Sequence, residues 1–262
     1  MAASLNPLRH ALLPDRERSY TVLVGSGYGL PNSEPEEVTL RLAADALAGR
    51  GGAFHPRNTT LLLGPKRQAD VLDAVLRASK AASDVLLFQF AGKDFRREDE
   101  LFLGVRDTDP QHLDDTGVQL AALTEIMSAS QARRRVVILE CGWPDLAAST
   151  VTRMLPDASL LAGPSSFEFT DDPFTQTLVQ GLAGGVEQGP EALDLVTLKN
   201  AIEAAYAHTR YYVENEYIGA PSRVVLRGGT DVALGLNPAY GTQKPGSLPP
   251  HPDYVDQRES MD

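Results

Sequence analysis

The one thiol in the chain, Cys141, lies in Glu140-Cys141-Gly142-Trp143-Pro144, directly after the apolar run Val136 to Leu139. A thiol becomes a strong nucleophile only as a thiolate beside a base, and a histidine is the usual partner. The second group of reactive residues, Lys93-Asp94, follows Ala91-Gly92 at the end of another apolar run, Val85 to Phe90. Lysine is a poor base near neutrality, because bringing a reference pKa of about 10.4 down to about 7 takes roughly 3 units, or about 4 kcal/mol. A neighbouring carboxylate, here Asp94, opposes that shift. The histidines, His10, His55, His112, His208 and His251, are scattered over termini and connections. His112 is the one that could approach these strand ends, from the loop after Asp109. That loop is acidic, with Asp107, Asp109, Asp114 and Asp115; such a group either holds a cation or serves turns and helix caps.

Gly25-Ser26-Gly27-Tyr28-Gly29 invites comparison with a dinucleotide-binding loop, but that motif needs G-x-G-x-x-G opening straight into a helix. Here the third glycine comes one residue early and Leu30-Pro31-Asn32-Ser33 intervenes. No cofactor is expected. The single cysteine excludes an internal disulfide and a multi-cysteine zinc site, no metal site is expected, and the thiol fits a reducing, cytoplasmic setting. With 24 basic and 35 acidic residues the net charge is −11, which opposes non-specific attraction to nucleic-acid phosphates and anionic lipid. Arg133-Arg134-Arg135 is then a solvated lead-in to a strand, not a phosphate patch. No stretch approaches 18 consecutive apolar residues, and the first twenty residues, broken by Arg9, Asp15, Arg16, Glu17 and Arg18, hold no signal-peptide core. No membrane or nucleic-acid partner is expected.

Strand-length apolar runs at Tyr20–Gly25, Thr59–Leu63, Val85–Phe90, Val136–Leu139 and Ser159–Ala162 alternate with helical periodicity. Strands apolar on both faces and separated by helices predict an α/β fold with a mostly parallel sheet covered on both sides. Val38, Leu42 and Ala46 predict the buried face of one crossover helix, and Val71/Leu72 with Val75/Leu76 that of the next. Glu100 to Val105 predicts a small hairpin, Thr116 the N-cap of a helix burying Leu120, Leu123 and Met127. Asp172-Pro173 predicts the start of a helix carrying Phe174, Leu178 and Leu182; Leu195, Leu198 and Ile202 predict another, and Arg223–Leu226 a last strand. From Asn237 five prolines fall within 26 residues, the composition of a disordered tail. The expected division is an N-terminal extension over 1–18, a domain over 19–236 and a Pro-rich tail over 237–262.

An ordered set of segments, LPDRERSY, VLVGSGYGLP, GGAF, LFLGVRDTDP, RRRVVILEC, PFTQTLVQGLAGG and LVTLKNAIEAA, resembles the caspase-like domains of bacterial effector systems, members of the caspase and metacaspase clan. The resemblance covers roughly residues 12 to 236 and implies a three-layer α/β/α caspase-like sandwich. In that family the two strand ends read roughly FSGHG and LDCCxSG, and the His and second Cys form the catalytic dyad. Here those positions hold Lys93 and Gly142, and Asp94 replaces a glycine. The resemblance therefore implies a pseudoprotease, a catalytically inactive protein that binds a peptide or protein partner at the former cleft as a scaffold or regulator. Its binding residues would be Lys93, Asp94, Trp143, Asp107 and Asp109, with Trp143 an apolar anchor or ordinary packing. Cys141, one residue from the nucleophile position, points to the opposite face of an extended strand end. The alternatives are an active cysteine endopeptidase or hydrolase using Cys141, and a domain kept for its outer surface.

Overall fold

The computed structural model describes residues 13–26, 28, 34–164, 173–207 and 224–241. The chain opens with β1 (Tyr20–Gly25), α1 (Glu34–Ala48), β2 (Thr59–Leu63), α2 (Gln68–Ala81) and β3 (Val85–Ala91). A small antiparallel unit follows: β4 (Asp94–Arg97), β5 (Glu100–Leu103), the short α3 (Leu113–Thr116) and β6 (Val118–Gln119). Then come α4 (Leu120–Ser128), β7 (Arg134–Glu140), α5 (Pro144–Met154), β8 (Ala158–Gly163) and α6 (Pro173–Gly184). The last elements are β9 (Ala192–Asp194), α7 (Leu195–Ala207), β10 (Val225–Arg227) and β11 (Ala233–Leu236).

Six strands form the central sheet in the order β10-β8-β7-β3-β1-β2, with β10 alone antiparallel. Alternation along the strands sends Val22, Val24, Phe88, Phe90, Val137 and Leu139 to a core under α2, α4 and α5. Leu23, Leu87, Val136, Ile138 and Leu161 go to a second core under α1, α6 and α7. The result is a three-layer α/β/α sandwich with a mostly parallel sheet. Phe174, Leu178 and Leu182 are buried on α6, and Leu195, Leu198 and Ile202 on α7. Asp172 and Arg223 lie outside the described residues.

Several sequence expectations change. Helix α1 buries Leu40, Ala43, Ala44 and Leu47, while Val38 and Leu42 are 55% and 50% exposed. The i, i+4 repeat marked a real helix but the wrong stripe, since Ala43 and Ala44 fit where larger side chains would separate helix from sheet. In α2, Val71 and Val75 are buried and Leu76 is exposed. The hairpin strand Glu100–Leu103 pairs with Asp94–Arg97, so Asp94 opens a new strand. Thr116 ends α3, and its hydroxyl donates to His112 O at 2.7 Å, with Asp109 O at 3.2 Å as the alternative acceptor, and accepts the Asp109 N–H. The N-cap of α4 is Gln119. Residues on both sides of the expected domain limits are tied in. The Arg16 guanidinium donates to Ala48 O, Gly49 O and Phe54 O, and Asn237 is buried. Residues 242–262 of the expected tail lie outside the described residues.

Candidate functional site

Parallel pairing of β3 with β7 puts Ala91 opposite Glu140, so the segments that leave the two strands, 92–94 and 141–143, emerge side by side. The chain passes from β1 to β2 on one side and to β3 on the other, and such a reversal at the carboxyl ends of parallel strands is where open α/β sheets form crevices. Gly92 adopts φ +146°, and a Cβ there would come within 2.1 Å of Ser26 Cβ. Only glycine lets the loops after β1 and β3 approach so closely. The Ser26 N–H donates to Ala91 O at 3.0 Å and locks that approach.

Beyond Gly92 the chain turns into β4, where alternate residues share a face. Asp94 and Arg96 face the corner between β7 and α5. The Gly142 N–H donates to Asp94 Oδ1 at 2.9 Å, and the Arg96 guanidinium lies over the Trp143 ring, 5.0 Å from its centroid, a cation–π contact. Trp143 is the residue before helix α5 and has no side-chain cap of its own. Asp94 thus brings a carboxylate from another element to a helix N-terminus, where free N–H groups and the helix dipole favour negative charge. Burial nevertheless pushes the Asp94 carboxyl above the ordinary range, against the opposing pull of the Gly142 N–H and the Lys93 charge. Its second oxygen, Oδ2, is buried with no hydrogen-bond partner among the described residues.

Asp94 turns to Gly142, while the half-buried Lys93 places Nζ 5.9 Å from the centroid of Phe95. Phe95 in turn meets Tyr28 edge-on at 5.0 Å. The Lys93 carbonyl accepts the Gly104 N–H at 2.7 Å, joining the site to β5. Trp143 is 44% exposed.

Cys141 is fully buried in the core with Leu139, Ala147, Ala148 and Val151. Burial, the Asp94 charge and then the Glu140 charge hold its thiol well above its ordinary pKa, the reverse of what a nucleophilic cysteine requires. Glu140, on the other face, accepts the Thr175 N–H at 3.3 Å and the Thr175 hydroxyl, tying the end of β7 to the first turn of α6.

Asp107 and Asp109 are not drawn into this group. The Asp109 carboxylate accepts the Gln111 N–H and bonds His112 Nδ1, each at 2.9 Å. That bond lowers the pKa of Asp109 and raises that of His112. The Asp107 N–H donates to Lys66 O; among the described residues no hydrogen bond or ion pair joins either aspartate to Asp94, Gly142 or Trp143. Asp114 pairs with Arg97. His55 caps the 3-10 turn Pro56–Asn58, and His10, His208 and His251 lie outside the described residues. Tyr28, Phe95 and Arg96 escaped the sequence reading. The alternation Asp94-x-Arg96 would have shown the last of them, had 94–97 been read as a strand. Among the described residues no three His, Cys, Asp or Glu side chains converge as a metal-binding group, and no helix is long and apolar enough to cross a membrane.

No protein-family model matches the chain, and no curated protein is similar to it in sequence. Among solved structures it is similar to caspase-1 from Spodoptera frugiperda, with a TM-score of 0.55 and 12% identity over 88% of this chain and 94% of that one. At that identity the likeness is one of fold, and the fold is caspase-like.

Proposed function

We propose that this chain is a catalytically inactive protein of the caspase-like fold that binds a peptide or protein segment at the carboxyl ends of β3 and β7, as a scaffold or regulator. One observation carries the reading: Gly142 offers no nucleophile, and its N–H is taken by the carboxylate of Asp94. In a cysteine peptidase a backbone N–H beside the nucleophile holds the oxyanion of the tetrahedral intermediate. Here the Asp94 carboxyl group already holds that donor, so a developing oxyanion could not use it. Lys93 stands where the resemblance expects the histidine, and Cys141 is sealed in the core with its thiol held protonated.

The half-exposed Trp143 and the ring pair Tyr28–Phe95 supply what a binding site uses as anchors, since aromatic residues dominate interface hot spots. The caspase-like likeness of the ordered motifs favours a bacterial effector-type setting, and the lone cysteine favours the cytoplasm. The test has two arms. Purified protein should cleave no peptide after Arg, Lys or Asp; turnover that disappears in Cys141→Ala would overturn the inactive reading. Affinity capture of the native complex should lose its partner in Trp143→Ala with the fold intact. Unchanged capture would move the interface to an outer surface.

A further inference from the structure

Resting on that binding reading, we propose that the notch over Gly142 receives a primary ammonium group, the side chain of a lysine or a free chain N-terminus, from the bound segment. Gly142 is exposed. A Cβ added there would lie 3.2 Å from Asp94 Oδ1 and 3.7 Å from Oδ2, its three nearest neighbours all being atoms of that carboxyl group. The space above the unsubstituted Gly142 Cα therefore opens onto the Asp94 carboxyl group. A fold that presents an N–H to an oxyanion here presents an acceptor instead, and the polarity of the site is inverted.

The carboxylate has capacity to spare. Asp94 is 6% exposed, Oδ1 takes the Gly142 N–H, the Asp94 and Trp143 N–H groups lie close enough to pull its pKa down, and the buried Oδ2 has no hydrogen-bond partner among the described residues. A buried carboxylate short of donors is costly, and a charged donor is the partner that offsets the cost most fully. A compact ammonium can approach one carboxyl oxygen across a bare glycine; a planar guanidinium needs a wider, two-pronged approach. Trp143, beside the notch and 44% exposed, offers a surface for the apolar stem. At long range the net charge of −11 attracts a basic partner.

Trp143 is the only tryptophan in the chain, so its fluorescence reports on this site alone. Nα-acetyl-lysine N-methylamide carries a side-chain ammonium and glycine N-methylamide an α-ammonium. At least one should change the emission saturably, and the stronger of the two identifies the source. Nα-acetyl-glutamate N-methylamide should not. Asp94→Asn keeps an acceptor for the Gly142 N–H but removes the charge; Gly142→Ala keeps the charge but fills the notch. In each, confirmed folded by circular dichroism, binding of the ammonium probe should weaken at least about tenfold. Unchanged binding in either variant, or no response to either ammonium probe up to its solubility limit, overturns the ammonium site. Saturable binding of the acidic probe alone overturns it too, yet leaves the binding reading standing. Loss of the inactive reading shows separately, as Cys141-dependent peptide cleavage.

Discussion

Asp94 is the residue on which the site turns, and its titration gives a signed prediction. Its pKa is raised in the folded protein above an unfolded value of about 3.9. Between these two values the native state holds more protons than the unfolded state, so stability falls as pH rises through that window. Asp94→Asn removes the group that titrates. The stability of the variant relative to wild type should therefore climb as pH is raised from about 4, until the raised folded pKa has been passed. Urea unfolding at a series of pH values measures it, and a relative stability that declines with pH would refute the raised pKa. Cys141 gives a second prediction at this scale. A fully buried thiol with a raised pKa should not react with a disulfide reagent such as dithionitrobenzoate in the native protein, and should react fully in denaturant. Rapid native labelling would show a reachable thiolate and favour the active-cysteine alternative.

At the scale of elements, α1 tests how the sheet chooses a helix face. Leu40 and Leu47 are fully buried, whereas Val38 and Leu42 are about half exposed. Leu40→Ala or Leu47→Ala should cost about 2–5 kcal/mol through lost burial and the cavity left behind. Val38→Lys or Leu42→Lys should change stability by no more than about 0.5 kcal/mol. Equal costs on the two faces would mean that Val38 and Leu42 are covered. The helix was legible because its apolar residues recur at helical spacing. Its buried face was not, because Val38-Leu42-Ala46 and Leu40-Ala43-Ala44-Leu47 both satisfy that spacing, and only the distance allowed between helix and sheet separates them. The strand β4 was missed for a related reason. Asp94-Phe95-Arg96-Arg97 is mostly charged, and it becomes a strand by pairing with the apolar Glu100–Leu103.

For the whole molecule, contacts with the domain continue past the point where the composition changes. The Asn237 side chain accepts the Val186 and Ala239 N–H groups and donates to Val186 O and Pro190 O. Its backbone N–H donates to Glu191 O. A chain ended at Leu236 should be less stable than one ended at Gly241 by about 2–3 kcal/mol, since it leaves several backbone groups near 186–191 without partners. Chemical denaturation of the two chains decides it; equal stabilities would restore the limit drawn from composition. The proline-rich composition that suggests a tail says nothing about a single asparagine at its start, whose role depends on which loop lies beside it.

The sequence by itself determined the layered architecture, because apolar runs of strand length separated by amphipathic helices have few other ways to bury both faces of a parallel sheet. It also determined which side chains stand at the two strand ends: Gly142 has none, and Lys93 takes the place where the resemblance expects a histidine. Only the tertiary structure decided what Asp94 does. A carboxylate next to a lysine in sequence reads as half of an ion pair. Asp94, the first residue of β4, turns to Gly142 while Lys93, just before that strand, sets its ammonium over Phe95, and the parallel register of β3 and β7 brings Gly142 to meet Asp94 across 48 residues of chain. Neighbours in sequence turn to different partners and distant residues are joined by sheet register, and neither is written in the identity of the residues themselves.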